Sequence, residues 1–169
     1  MARTSLADVR TLPDAFQQYN WDLIIPTMPG TPNSKPFTFK AMTTSIPGSL
    51  LEKVPVNFHG VEVGYAGREN YSHSLAVTLL ETADIGTRDM IRRWQKVARN
   101  NRSNTGSFKD TYATTVELVL YDDLPTERKR IRLIGCFPES LDDASLDGGS
   151  SGIVQVSCTL HYDEIDELL

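Results

Sequence analysis

The run Gly148-Gly149-Ser150-Ser151-Gly152 matches G-x-S-x-G, the spacing that lifts a serine nucleophile onto a strained turn in hydrolases. That turn needs a strand before it and a helix after it. Here an acidic loop precedes the run and an alternating, strand-like segment follows at 153–162, so the run reads as a flexible connection. The three histidines, His59, His73 and His161, have no second ligand at metal spacing. His59 falls at a turn and His161 on the polar face of a strand, where a solvated or hydrogen-bonded ring is the simpler reading. Asp122-Asp123 and Asp142-Asp143 stand where turns are expected, and aspartate fills turns by bonding its own backbone. There is no phosphate-cradling glycine loop and no dinucleotide fingerprint. Arg128, Arg130 and Arg132 recur at period two; such a stripe suits phosphate or sulfate, or a solvated or salt-bridged sheet face. The expectation is no catalytic group, no cofactor and no metal: not an enzyme.

Composition bounds what must position these residues. The chain has 169 residues, 40% hydrophobic and 23% charged, which fits a folded single domain over 1–169 and excludes a coiled coil. A chain of this size buries about 70% of its unfolded surface, enough for a core without staples. The early apolar run Leu23-Ile24-Ile25 stops at Pro26, far short of the roughly 20 residues that span a bilayer. The first residues lack the apolar stretch of a signal peptide, so Cys136 and Cys158 are expected as reduced core thiols.

The net charge of −5 is unevenly distributed. Residues 86–138 carry 11 basic and 6 acidic side chains, whereas residues 139–169 carry 8 acidic and no basic ones. Either the fold brings the two segments together, or they sit on different faces and meet on neighbouring copies. In the second case assembly weakens with salt, because exposed pairs fade beyond a Debye length of about 8 Å at physiological ionic strength.

Periodicity predicts a mainly β chain. A short helix is expected at 5–16, strands at 20–27 (Trp21, Leu23 and Ile25 on one face) and 36–46 (Phe37 and Phe39), with a loop at 26–36 between them. Across 49–66, Val54, Val56 and Phe58 alternate, His59-Gly60 turns, and Val61, Val63 and Tyr65 alternate. Further strands are expected at 72–81, 112–121, 127–137 and 153–162; in the last, Val154, Val156, Cys158, Leu160 and Tyr162 face one way. One amphipathic helix is expected at about 84–99, with Met90, Ile91, Trp94 and Val97 inward and Asp84 or Thr87 as its cap. Residues 100–110 read as a polar loop. Strands without regular alternating helices indicate an antiparallel β-barrel or sandwich with one flanking α-helix.

The segment at about 46–67 stands apart. Pro55 inside the pattern places it on an edge or in a projecting hairpin, where Leu51, Val54, Val56 and Phe58 are too apolar to leave in water. Docking on another copy resolves this. The expected self-assembly residues are Ile46, Leu51, Glu52, Lys53, Val54, Pro55, Val56 and Phe58, with Arg128, Arg130 and Arg132 as inter-subunit charge contacts.

Phe37-Thr-Phe-Lys, Ile46-Pro-Gly, Leu51-Glu-Lys-Val-Pro-Val-Asn-Phe, Ala66-Gly-Arg and, later, Ile134-Gly-Cys-Phe-Pro resemble, in this order, the tail tube proteins of contractile-tailed bacteriophages of the T4 type. The likeness spans roughly residues 16 to 163; the ending Glu-Ile-Asp-Glu-Leu-Leu departs from the aromatic ending of that family. The resemblance implies a subunit that forms six-membered rings, stacked into a hollow tube inside a contractile sheath. It implies contacts with the sheath, baseplate and tail-terminator proteins, and DNA passing through the lumen without specific binding or direct membrane insertion. The expected location is the virion tail, after assembly in the host cytoplasm. Some acidic side chains should face the lumen, and the arginine stripe should not line it alone, because a wall of uncompensated arginines would hold the phosphates. The alternatives are the tube of an injection or secretion machine carrying protein, a monomeric ligand-binding β-sandwich, and a serine hydrolase acting through Ser150.

Overall fold

The computed structural model describes residues 16–31, 40–84, 86–100, 102–124 and 126–168. The helix expected at 5–16 and the Phe37–Phe39 part of the second strand fall almost entirely outside these residues. The described strands are β1 (Trp21–Ile24), β2 (Ala41–Thr44), β3 (Ser49–Phe58), β4 (Val61–Tyr71), β5 (Ser74–Leu80), β6 (Arg99–Asn100), β7 (Thr105–Gly106), β8 (Thr114–Tyr121), β9 (Glu127–Leu141), β10 (Gln155–His161) and β11 (Glu164–Leu168). The helices are α1 (Gly86–Ala98) and the single turn α2 (Lys109–Tyr112).

Seven strands form the main sheet, in the order β1-β8-β9-β10-β5-β2, with β11 paired to β9 off this path. Every pairing is antiparallel. The 15-residue β9 belongs to both layers of the resulting sandwich. Its first part lies between β8 and β11; its second part, from Phe137 to Leu141, pairs β10. The change of layer falls at Gly135, whose φ of +74° is left-handed. The Asp163 carboxylate occupies the space a Cβ there would need, so both backbone and packing require glycine. Among the described residues β1 and β2 do not pair with each other, so the barrel is not closed and the architecture is a sandwich.

The alternating residues meet between the layers. Leu23, Leu75, Val77, Leu79, Val116, Leu118, Ile131, Leu133, Val156, Cys158 and Leu160 are buried in one cluster with Met90, Ile91 and Trp94 of α1. Each such side chain contributes about 1.5–3 kcal/mol through burial. Cys136 and Cys158 are free and buried, and burial pushes each thiol up to about 12. Both sit unionised in the core.

Three local features differ from the expectation. Asp84 caps the start of α1 as expected, accepting Gly86 N–H at 3.4 Å, but Glu81, the residue after β5, takes more of its free N–H groups and Thr87 takes none. One Glu81 carboxylate oxygen accepts the Thr82 and Thr87 N–H groups, each at 3.0 Å, and the other accepts Arg88 N–H at 3.0 Å. Thr87 turns its hydroxyl away to donate to the Leu80 carbonyl at 2.9 Å. Residues 100–110 are not a plain loop: β6 and β7 make a small hairpin and α2 follows, held because Trp94 Nε1 donates to the Tyr112 carbonyl at 2.6 Å. The acidic ending forms a strand, β11, laid along Arg130–Ile134.

Candidate assembly surface

Among the described residues β3 and β4 pair only with each other and stand outside the sandwich as a two-stranded sheet. The turn residues His59 and Gly60 have φ of +47° and +85°, the two left-handed positions of a tight hairpin turn whose twist suits the flanking strands. Val54 lies opposite Tyr65, Val56 opposite Val63 and Phe58 opposite Val61. Side chains opposite each other share a face, so these six form one apolar face. The other face is polar or small: Lys53 opposite Ala66, Pro55 opposite Gly64, Asn57 opposite Glu62, with a Lys53–Glu62 ion pair across it. Pro55 is tolerated because a two-stranded sheet consists only of edges.

Among the described residues that apolar face has no second layer. Five of its members range from 39% exposed at Val63 to 64% at Val61, and Val56 is half-buried. Ile46, Leu50 and Leu51 extend the exposed apolar surface to the hairpin root. Glu52 occupies the register shift between Leu51 and Lys53, packed beneath Gly67. An isolated hairpin is marginal in water even when polar, and this one is about 33 Å long.

The root, by contrast, is fastened. Tyr71, Ser72 and His73 connect β4 to β5. His73, at a left-handed φ of +53°, sets Nδ1 3.1 Å from the Tyr162 carbonyl, and the Ser72 hydroxyl lies 3.3 Å from the Tyr162 hydroxyl. A ladder of rings runs from Tyr71 through His73 and His161 to Phe137 and Tyr112, with centroids 5.0–6.5 Å apart.

Arg128, Arg130 and Arg132 lie on the outer face of β9, as their spacing requires, and each is paired within the chain. Arg130 bonds both Glu127 oxygens, at 2.7 and 2.8 Å, and also pairs with Glu117. The hydrogen bonds it donates to Glu127 hold its guanidinium above its ordinary value, against the effect of burial. Arg132 Nε donates to Glu117 at 3.0 Å, and Arg128 Nε to Asp122 at 3.0 Å. The hydrogen bond from Arg128 is the main reason the Asp122 carboxyl sits below the usual carboxylate range. This face is compensated, not a naked anion site. Val119, buried among these charges, carried no signal in its sequence context beyond being out of phase with Val116 and Leu118.

Ser150 has no helix behind it; the 142–154 loop leads straight into β10. Among the described residues no group of three metal-ligating side chains converges, and no helix is long and apolar enough to cross a membrane.

Comparison with known proteins places this geometry. The tail tube protein gp19 of Enterobacteria phage T4 is 27% identical over 131 residues, which cover 75% of this chain and 80% of that one. The fold is similar to a chain in the sheath/tube terminator of an extracellular contractile injection system in its extended state, with a TM-score of 0.66 at 14% identity, covering 94% of this chain and 100% of that one. It is similar also to a chain of the sheath–tube complex of such a system, with a TM-score of 0.61 at 14% identity, covering 98% and 99%. The family model for phage tail tube proteins matches residues 12–166, and the chain therefore belongs to the phage tail tube protein family, structural components of the tail rather than enzymes.

Proposed function

We propose that this chain assembles into six-membered rings that stack into the inner tube of a contractile tail, and that the tube is the conduit for DNA ejected into the host. The observation that carries the reading is the six-residue apolar face of the β3–β4 hairpin, built outside the only core the subunit has among the described residues. A neighbouring subunit supplies the missing layer, and Ile46, Leu51, Glu52, Lys53, Val54, Pro55, Val56 and Phe58 lie on or beside that contact. Arg128 and Arg132 keep side-chain exposures of 65% and 42%, which leaves room for a second acidic partner across a subunit boundary. The compensated charge of the β9 face suits a channel wall that must not hold a moving polyanion. The sequence relative is a phage protein, which favours DNA over protein cargo. The sheath, the baseplate and a tail terminator are the proposed partners, with assembly in the host cytoplasm before the tail joins the virion.

Negative-stain microscopy of the purified full chain tests this. Stacked rings with an open lumen are expected. Dispersed monomers at high concentration and low salt would sink the reading and favour a ligand-binding sandwich.

A further inference from the structure

The charges of α1 behave differently from those of β9. Arg92 and Lys96 stand at i and i+4 on one side of α1, and Arg99 follows as the first residue of β6. Arg92, Lys96 and Arg99 line a shallow groove of about 360 Å³ with Phe137, Pro138 and Glu139. Among the described residues Arg92, Arg93, Lys96 and Arg102 enter no ion pair, and Arg99 bonds only the neutral Asn104 side chain. At the other end of the same helix, Arg88 donates to the Asp142 carbonyl at 3.0 Å and stands 3.8 Å from Asp143. That contact tethers an acidic loop, with Asp142, Asp143 and Asp147 exposed, beside the helix N-terminus.

We infer that the acidic 142–147 loop of one subunit docks on the basic Arg92/Lys96 side of α1 in the next subunit of the assembly. This deepens the tube reading and rests on it. Three observations support a second copy as the occupant. The two patches have opposite sign and do not overlap. Along the helix axis Arg92 and Lys96 lie about 6 and 12 Å beyond Arg88, where the loop is tied, and among the described residues no loop carboxylate pairs with either of them in its own chain. On β9 the cations are paired within the chain, whereas Arg92 and Lys96 stand unpaired and exposed on α1, open to a partner's carboxylates. A contact between two different patches is head-to-tail, and such contacts close into rings or run on as filaments. Glu139 lines the same groove, and among the described residues it forms no ion pair with Arg92 or Lys96, the cations that a neighbour's aspartates would meet.

Charge reversal on either side tests the pairing. Arg92→Glu with Lys96→Glu reverses the helix side, and Asp143→Lys with Asp147→Lys reverses the loop; all four side chains are exposed. Each variant should keep the circular dichroism and melting temperature of the parent, and its sedimentable assembled fraction should fall about tenfold or more at ~0.15 M salt, because like charges now face each other. Mixing the two variants in equal amounts should restore assembly, since each reversed helix then meets a reversed loop. Assembly of the parent chain should also weaken as salt rises. Variants that assemble like the parent, or a mixture that fails to recover, overturn the inference while leaving the tube reading intact. Loss of assembly by the helix variant alone, with the loop variant unaffected, also overturns it and assigns the basic side to another polyanion. A parent chain that forms no rings at any salt concentration removes the tube reading itself. Should a double reversal unfold, Lys96→Glu and Asp147→Lys singly carry the same test.

Discussion

β10 and the β3–β4 hairpin obey the same period-two rule and end in opposite environments. In β10, Val156, Cys158 and Leu160 are at most 2% exposed, because β8, the first part of β9 and α1 complete a second layer over them. In the hairpin, Val54, Val56 and Phe58 alternate as cleanly, and Val54 and Phe58 are 46% and 55% exposed. Alternation says that one face wants to leave water; it does not say which molecule supplies the cover. In the sandwich the cover is intramolecular and stabilises the fold. On the hairpin the cover we propose is a second copy, and it stabilises the assembly. The same substitution in the two places should therefore fail two different measurements.

The largest expected effect separates them outright. Val156→Asp puts an unpaired carboxylate into the core and should leave no cooperative melting transition, since an uncompensated buried charge costs more than most of a domain's stability of about 5–15 kcal/mol. Val54→Asp should change the melting temperature of the unassembled subunit by little, because surface substitutions fall within about 0.5 kcal/mol, yet it should abolish tubes in the microscope. If Val54→Asp unfolds the subunit, the hairpin belongs to the core after all. If it assembles normally, the hairpin is not the contact.

The contrast also marks what could be read from the chain before its structure. The strand faces of β5, β8, β10 and the hairpin were legible because each alternates over at least three pairs, and the helix was legible because Met90, Ile91 and Trp94 fall on one side. Three features were not. β11, Glu-Ile-Asp-Glu-Leu, has too few apolar residues to announce a strand; it forms because the free side of β9 offers backbone partners from Arg130 to Ile134. The passage of β9 between layers hangs on Gly135 and on Asp163, a residue 28 positions later, and no local pattern couples the two. The pairing of the arginine stripe was open because its partners Glu117, Asp122 and Glu127 come from the neighbouring strand and the turn as well as from β9 itself. Of the candidate site, the apolar hairpin was legible and its charge contacts were not: an unpaired cation and a paired one look alike in a sequence.

A smaller effect, confined to the sandwich, sharpens the comparison. Burial alone would raise the Glu81 carboxyl, but the backbone N–H groups of Arg88, Thr82 and Thr87 outweigh it and hold the group below its usual range. A carboxyl lowered in the folded state adds stability above its unfolded value near 4.3, and that stability is lost as pH falls through the lower folded value. Glu81→Gln should therefore cost about 1–2 kcal/mol at pH 7, the worth of a helix cap, and the difference from the parent should shrink towards zero as urea titrations move below about pH 4. Because this cap lies inside the subunit, the variant should still form tubes once folded. A loss that persists unchanged at pH 3 would mean that Glu81 acts through packing and not through charge.

The smallest effect comes from the tip of the hairpin. Gly60 has a φ of +85° with nothing near the position of an added Cβ, so Gly60→Ala meets no clash and pays only for the left-handed backbone, about 1 kcal/mol. Gly135 is left-handed too, but there Asp163 fills the space, so Gly135→Ala strains the sandwich itself. The two alanines thus report on the two regions in turn. Gly135→Ala should lower the melting temperature of the subunit. Gly60→Ala should leave that temperature unchanged, because the hairpin contributes little to the subunit's own stability, and should act only on docking by loosening the turn that aligns Val61 with Phe58. A penalty of that size corresponds to roughly a fivefold rise in the protein concentration at which light scattering first detects tubes. An unchanged onset would show that the docked hairpin does not depend on its tight turn, and would move the contact towards its root at Ile46 and Leu51.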